Sequence, residues 1–283
     1  MNYRHGFHAG NFADVVKHAL LALCLIHLRR KDAAFRVIDT HAGRGAYDLA
    51  SDEAVRGAEW PGGIGRIWTH DFAPDVAALI APYLDAVRAA NPDGQLRTYP
   101  GSPDLIRRLL RPNDRLIACE AEPGTARALT AGLRGDARAK AIAIDGWTAL
   151  QAYIPPRERR GLVLIDPPYE AMDEWTRLAD ALIAAQRKWS GGMFFAWYPV
   201  KDDTALSKFY RRLTASSHPD MLRIEIARKV ATDGKLRGSG QIILNPPFTL
   251  QRDAQILLAA LAPAFWPDEQ AMIRIEALAA RAA

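Results

Sequence analysis

Four apolar runs that each close on an acid constrain this chain more than any other feature. They are Phe35-Arg36-Val37-Ile38-Asp39, Leu116-Ile117-Ala118-Cys119-Glu120, Lys140-Ala141-Ile142-Ala143-Ile144-Asp145-Gly146 and Gly161-Leu162-Val163-Leu164-Ile165-Asp166. Each apolar stretch has the length of a buried strand. The segments between them are long enough for crossover helices, which specifies an α/β fold with a doubly wound, mostly parallel sheet. In such sheets the strand ends point into a ligand crevice. An acid after the second strand can accept from ribose hydroxyls, and one after the third from an adenine amine. A single acid at a strand end is more often a helix cap or a solvated turn. Four in succession define a site.

The fourth run ends in Asp166-Pro167-Pro168-Tyr169. Two prolines cannot continue a strand ladder, and Pro167 offers a backbone carbonyl without an N–H. Asp166 adds a second acceptor and Tyr169 a flat face. Two acceptors beside a stacking surface suit a planar group with an exocyclic amine, such as adenine. After the first strand, Thr40-His41-Ala42-Gly43-Arg44-Gly45-Ala46 reads as a glycine turn into a helix start, where backbone can approach a ligand closely.

The 283 residues, 49% hydrophobic and 24% charged, can bury a sizeable core. They suit one domain with an insertion. No apolar run reaches the roughly 18 residues of a membrane span, and the start leads into no signal-peptide core. Cys24 and Cys119 lack metal-type spacing and read as buried free thiols. A cytoplasmic protein fits best. Net charge is +5, with basic clusters at Arg29-Arg30-Lys31, Arg107-Arg108, Arg157 with Arg159-Arg160, Arg211-Arg212 and the loop from Arg228 to Arg237. Single clusters are usually solvated faces; several together favour a polyanionic partner.

Residues 1–18 carry Tyr3, His5, Phe7, His8, Asn11, Asp14, Lys17 and His18 ahead of, and into, a helix from about Ala13 to Arg30 with a helical apolar repeat. Asp14, Lys17 and His18 share a face of it. No carboxylate or thiol completes a metal spacing with His5, His8 and His18. The stretch reads as an aromatic and basic flap over a ligand, the alternative being a polar cover for the helix. Residues 48–99 exceed what a crossover needs and read as an inserted helical subdomain with a helix near Ala73 to Ala90. It either shapes specificity or adds bulk. Tyr99-Pro100-Gly101-Ser102-Pro103 then opens the crossover helix, with Ser102 as its expected N-cap.

Further helix and strand follow at Glu174–Lys188 and Gly192–Trp197; Trp197 and Tyr198 line a base pocket or pack in the core. Met221–Ala227 and Gln241–Leu244 flank a glycine-rich basic loop and read as a hairpin. Ile242-Ile243-Leu244-Asn245-Pro246-Pro247-Phe248 repeats the strand-acceptor-proline pattern. If the first arm runs with the sheet, the second runs against it, and Asn245 points away from the crevice. Asp166 is therefore preferred.

The opening Y-R-H-x-F-H-A-G-N-x-A-D-V-x-K-H from Tyr3 to His18, then D-T-H-A-G-R-G, Y-P-G-S-P, I-D-G, L-I-D-P-P-Y, W-Y-P-V and N-P-P fall in order. Together they resemble the bacterial 23S ribosomal RNA adenine-N6 methyltransferase family of the D-P-P-Y type, over essentially the whole chain. The resemblance implies a Rossmann-like class I methyltransferase domain with a helical insertion, using S-adenosyl-L-methionine and no metal. It implies a monomer acting on protein-free 23S rRNA or an early assembly intermediate. It places the cofactor against His18, His41, Gly43, Ser102, Glu120, Asp145, Gly146 and Asp166, and Tyr3 against the RNA. Catalysis falls to Asp166, Pro167 and Tyr169, by direct in-line transfer to the N6 amine. The family's usual aromatic before the glycine turn is His41 here. Charge and spacing do not separate RNA from DNA, so a DNA adenine-N6 methyltransferase is the first rival. A protein glutamine methyltransferase using Asn245 and a non-catalytic nucleic-acid-binding protein are the others.

Overall fold

The chain alternates strand and helix from Arg36 onward, and a computed structural model describes residues 4–171, 173–201, 203–215, 220–229 and 236–278. In order the elements are α1 (Phe12–Arg29), β1 (Arg36–Asp39), β2 (Ala46–Asp48), α2 (Asp52–Gly57), α3 (Ile64–Ile67), α4 (Pro74–Ala89), β3 (Thr98–Pro100), α5 (Ser102–Leu109), β4 (Arg115–Glu120), α6 (Pro123–Gly132) and β5 (Ala139–Ala143). Then come α7 (Gly146–Tyr153), β6 (Gly161–Ile165), α8 (Glu174–Lys188), β7 (Met193–Val200), α9 (Asp203–Thr214), β8 (Met221–Arg228), β9 (Gly238–Leu244), α10 (Leu250–Phe265) and β10 (Ala271–Leu278).

Eight strands form one sheet in the order β10-β8-β9-β7-β6-β1-β4-β5. From β7 to β5 every pairing is parallel. β9 lies antiparallel between β7 and β8, and β10 closes the edge antiparallel to β8. The central strands are apolar on both faces because helices cover both. Val37, Leu162, Leu164 and Phe195 enter a core with α1, α4, α5 and α10. Ile38, Val163, Ile165 and Phe194 enter a second core with α7, α8 and α9. The fold is thus the doubly wound, mostly parallel sheet with a C-terminal antiparallel hairpin that the strand pattern specifies.

The pairing settles which Pro-Pro motif faces the crevice. Leu244 sits opposite Phe194, at the start of β7. The Asn245 amide donates to the carbonyls of Ser190 and Gly192 at 2.8 and 2.7 Å. Asn245 therefore lies at the sheet edge opposite Asp166 and caps a turn there.

Several boundaries differ from the sequence reading. Residues 12–18 of the stretch read as a flap are the first turns of α1, whose buried face carries Val15, Val16, Leu20 and Leu21. The excursion between β1 and β4 is pinned at its base by the antiparallel β2–β3 ribbon. Its Ile64, Ile67, Ile80 and Tyr83 join the same core as α1 and α10. Gly101 is the N-cap residue of α5, and Ser102 is its first helical residue. Ser102 is displaced from the cap because its hydroxyl is bonded elsewhere, to Asp39.

Candidate active site

The C-terminal ends of β1, β4, β6 and β7 open under a cavity of about 830 Å³. His18, His41, Gly43, Ser102, Glu120, Asp145, Gly146, Asp166, Pro167 and Tyr169 all line it. Tyr3 lies outside the described residues.

On the β1–β4 side the backbone makes the cradle. Gly43 sits at φ +63°, and a Cβ there would stand 2.3 Å from the Tyr47 hydroxyl, so only glycine fits the turn. Its N–H donates to Glu120 Oε2 at 2.9 Å, and the Glu122 N–H to Glu120 Oε1 at 2.9 Å. These bonds fix the carboxylate at the end of β4. Gly146 lets α7 approach closely: a Cβ there would lie 2.3 Å from the Thr40 carbonyl and 2.7 Å from the His41 ring. His41 bonds Thr40 Oγ1 at 2.8 Å and meets Trp147 edge-on at 5.4 Å. Burial lowers its pKa to about 4, so the imidazole is neutral and free to stack or donate.

Two of the four acids do work that the strand pattern does not reveal. Asp145 lies beyond the end of β5 as the N-cap of α7, accepting from the Thr148 N–H at 2.9 Å. Asp39 ends β1 but is fully buried beneath the cavity and accepts from Ser102 Oγ at 2.7 Å. Its other oxygen has no partner among the described residues. Burial raises its pKa to about 7.

On the β6 side stands a buried ionic chain. Lys17 Nζ bridges Asp166 Oδ2 at 2.5 Å and Asp14 Oδ1 at 2.8 Å. Asp14 Oδ2 in turn bonds His5 Nε2 and the Gly10 N–H, each at 2.9 Å. Burial opposes the charge on Lys17, but the two carboxylates outweigh it and raise its pKa. Burial likewise opposes ionisation of Asp14, whose carboxyl His5 and Lys17 hold well below the usual range. Asp166 keeps Oδ1 without a protein donor among the described residues. Tyr169, at φ +54°, donates its hydroxyl to the Trp197 carbonyl at 2.9 Å. Its ring sits 5.0 Å from Trp175 and 5.8 Å from Trp197. Trp197 lines the cavity, its indole N–H donating to Ser239 Oγ at 2.9 Å, whereas Tyr198 is wholly buried.

His18 joins the two sides. Its Nδ1 bonds the Tyr99 hydroxyl at 2.8 Å, and its buried Nε2 has no protein partner among the described residues. Burial, reinforced by the Lys17 charge, lowers its pKa to about 3. A neutral imidazole with one uncommitted nitrogen in the cavity wall suits a polar ligand group. With the glycine cradle, the fixed Glu120 and the Asp145–Gly146 turn, these residues fit S-adenosylmethionine. Among the described residues no group of three or more His, Cys, Asp or Glu is placed to hold a metal ion.

Lys17 is the residue that sequence reasoning missed as a site group. The only signal was its place on the Asp14–His18 helix face; a lysine on a helix otherwise reads as solvated.

Residues 32–276 match the family model described as Ribosomal RNA large subunit methyltransferase D, RlmJ. The chain is 39% identical over 261 residues to Ribosomal RNA large subunit methyltransferase J of Escherichia coli (strain K12), covering 91% of each chain. It is 35% identical over 270 residues to the protein of the same name from Haemophilus influenzae, covering 95% of each. A crystal structure of a protein from Legionella pneumophila superposes with a TM-score of 0.87 at 33% identity, covering 95% of this chain and 98% of that one.

Proposed function

Because the chain belongs to the RlmJ family of ribosomal RNA large subunit methyltransferases, we propose that it transfers a methyl group from S-adenosylmethionine to the N6 amine of an adenosine in 23S rRNA. The observation that carries this reading is the single cavity shared by Asp166, Pro167 and Tyr169 with the residues that fit the cofactor. His18, His41, Gly43, Ser102, Glu120, Asp145 and Gly146 hold S-adenosylmethionine, which supplies an electrophilic methyl on a sulfonium.

The N6 lone pair of adenine is delocalised into the ring, which makes the amine a poor nucleophile. Asp166 Oδ1 and the Pro167 carbonyl accept its two N–H groups and turn the lone pair towards the methyl. Lys17 holds the other Asp166 oxygen, so the carboxylate presents one fixed acceptor. S-adenosylmethionine held by the cofactor residues would supply its methyl to N6 by direct in-line transfer, the sulfonium leaving as a neutral thioether. The cationic amine then loses a proton through Asp166 to solvent, leaving N6-methyladenosine and S-adenosylhomocysteine. Tyr169, braced by Trp175 and Trp197, replaces the stacking that the base gives up on leaving its helix. Tyr3 in the N-terminal segment meets the RNA, and the enzyme works as a monomer on protein-free RNA or an early assembly intermediate.

Asp166→Ala should abolish methyl transfer while calorimetric binding of S-adenosylmethionine remains measurable. Near-wild-type turnover in that variant overturns the assignment. Competition between 23S rRNA and duplex DNA for tritiated methyl separates the RNA reading from its DNA rival. Mapping N6-methyladenosine in rRNA from cells lacking the protein identifies the target.

A further inference from the structure

Arg4, Lys17, Arg44, Arg177 and Lys201 are the lysines and arginines that line the cavity among the described residues. All but one are committed to a carboxylate. Lys17 is held by Asp14 and Asp166. Arg4 and Arg44 converge on Glu53 at 3.5 and 3.4 Å, and Arg177 reaches Asp145 at 3.9 Å. Lys201 is exposed and has no carboxylate within 4.0 Å among the described residues. It follows directly on β7, beside Pro199 and Trp197 in the cavity wall. Its charge is felt across the opening by His8 in the N-terminal segment.

The clusters of basic residues that stand out in the sequence do not compete for this place. Arg107 and Arg108 are paired with Asp104, Arg212 with Asp180 and Arg228 with Glu269. Arg111 and Arg160 donate to carbonyls near the end of α1, around residues 28–33. None of these residues lines the cavity.

We infer that Lys201 is a substrate-binding residue that holds a phosphodiester flanking the target nucleotide, an inference that rests on the RNA reading above. The sheet order places it on the substrate side. Asp166 follows β6; of the groups that fit the cofactor, His41, Gly43, Glu120, Asp145 and Gly146 stand at or just beyond the ends of β1, β4 and β5, whereas Lys201 follows β7 on the far side of Asp166. A base extruded onto Asp166 remains joined to its backbone, so an anionic phosphate stands on either side of it at the mouth. An uncommitted ammonium there neutralises one phosphate as a point charge, independent of base sequence.

The test measures methyl transfer to in vitro transcribed 23S rRNA across a potassium chloride series, with calorimetric binding of S-adenosylmethionine beside it. Lys201→Ala should raise KM for RNA several-fold at low salt and reduce the slope of log KM against log salt by about 0.7–0.9. Most of the loss falls on KM rather than kcat. Lys201→Arg should restore the slope, and Arg30→Ala, at the far end of α1, should leave it as in the wild type. An unchanged slope in Lys201→Ala overturns the inference. So does a loss of cofactor affinity, which would assign Lys201 to the cofactor carboxylate. If the wild-type protein binds S-adenosylmethionine but methylates no RNA, the RNA reading itself fails and the assignment falls with it.

Discussion

Asp39 and Lys17 show how far a single side chain's chemistry depends on what surrounds it. Both are wholly enclosed or nearly so. Lys17 is charged because two carboxylates flank it; Asp39 has one hydroxyl donor and an unpartnered oxygen. Burial therefore lifts the Asp39 pKa from 3.8 to about 7. The folded chain holds this proton more tightly than the unfolded chain, so ionisation costs the fold stability as pH rises from about 4 to 7. Asp39→Asn keeps an acceptor for Ser102 and has nothing to ionise. Its stability relative to wild type should rise between pH 5 and pH 8, by on the order of 1–3 kcal/mol, read from urea midpoints at the two values. Equal differences at both pH values would show that Asp39 does not titrate in that window. The strand-ending acids, glycines and histidines were legible in the sequence because their types punctuate apolar runs. The division of labour among the acids was not: whether a carboxylate lines the cavity, caps a helix or lies beneath the floor depends on neighbours far away in the chain.

Among the elements, the antiparallel insertion of β9 between β7 and β8 does most to define the site, because it sends one Pro-Pro motif to the crevice and the other to the opposite edge. Asn245 adopts φ +52° and its amide satisfies two carbonyls. Asn245→Ala should therefore leave methyl transfer intact while costing about 2 kcal/mol, from lost hydrogen bonds and the left-handed backbone. That is a fall in Tm of about 4–8 °C by thermal unfolding. Loss of turnover in a folded Asn245→Ala protein would return the protein-glutamine reading to contention. The long periodic helices were legible: α8 spans the expected Glu174–Lys188, and α1 and α4 fall within a residue of their expected limits. The β2–β3 ribbon was not, since three residues a side carry no period and exist only by pairing. Nor does the sequence reading assign α10 or β10, although α10 buries Leu257, Leu258 and Leu261. Their apolar residues identify a buried face without saying which neighbour covers it.

For the whole molecule, folding encloses two neutral imidazoles, His18 and His41, in the cavity wall. Burial depresses His18 to about 3 and His41 to about 4, against 6.5 for an open histidine. Below pH 6.5 the unfolded chain takes up protons that the fold refuses, so these groups make stability fall as pH drops from 6.5 towards 4. Asp39 works in the opposite direction over part of that range. His41→Asn should therefore lose less Tm than the wild type on going from pH 7 to pH 4.5, the other titrating groups being common to both proteins. An equal shift in the two proteins would mean that the His41 imidazole is reached by water in the folded chain. No helix among the described residues is long and apolar enough to cross a membrane.

The sequence by itself determined the doubly wound sheet and the acids, glycines and prolines at the strand ends that meet at the cavity, because apolar runs closed by such residues are local and carry their own geometry. Tertiary structure decided the rest: Lys17 becomes a buried bridge only when Asp14 and Asp166 close on it from separate elements, and Lys201 stands apart only because, among the described residues, the other lysine and the arginines of the cavity have each found a carboxylate. Charge in a folded protein is set by neighbours in space, and those the order of residues does not display.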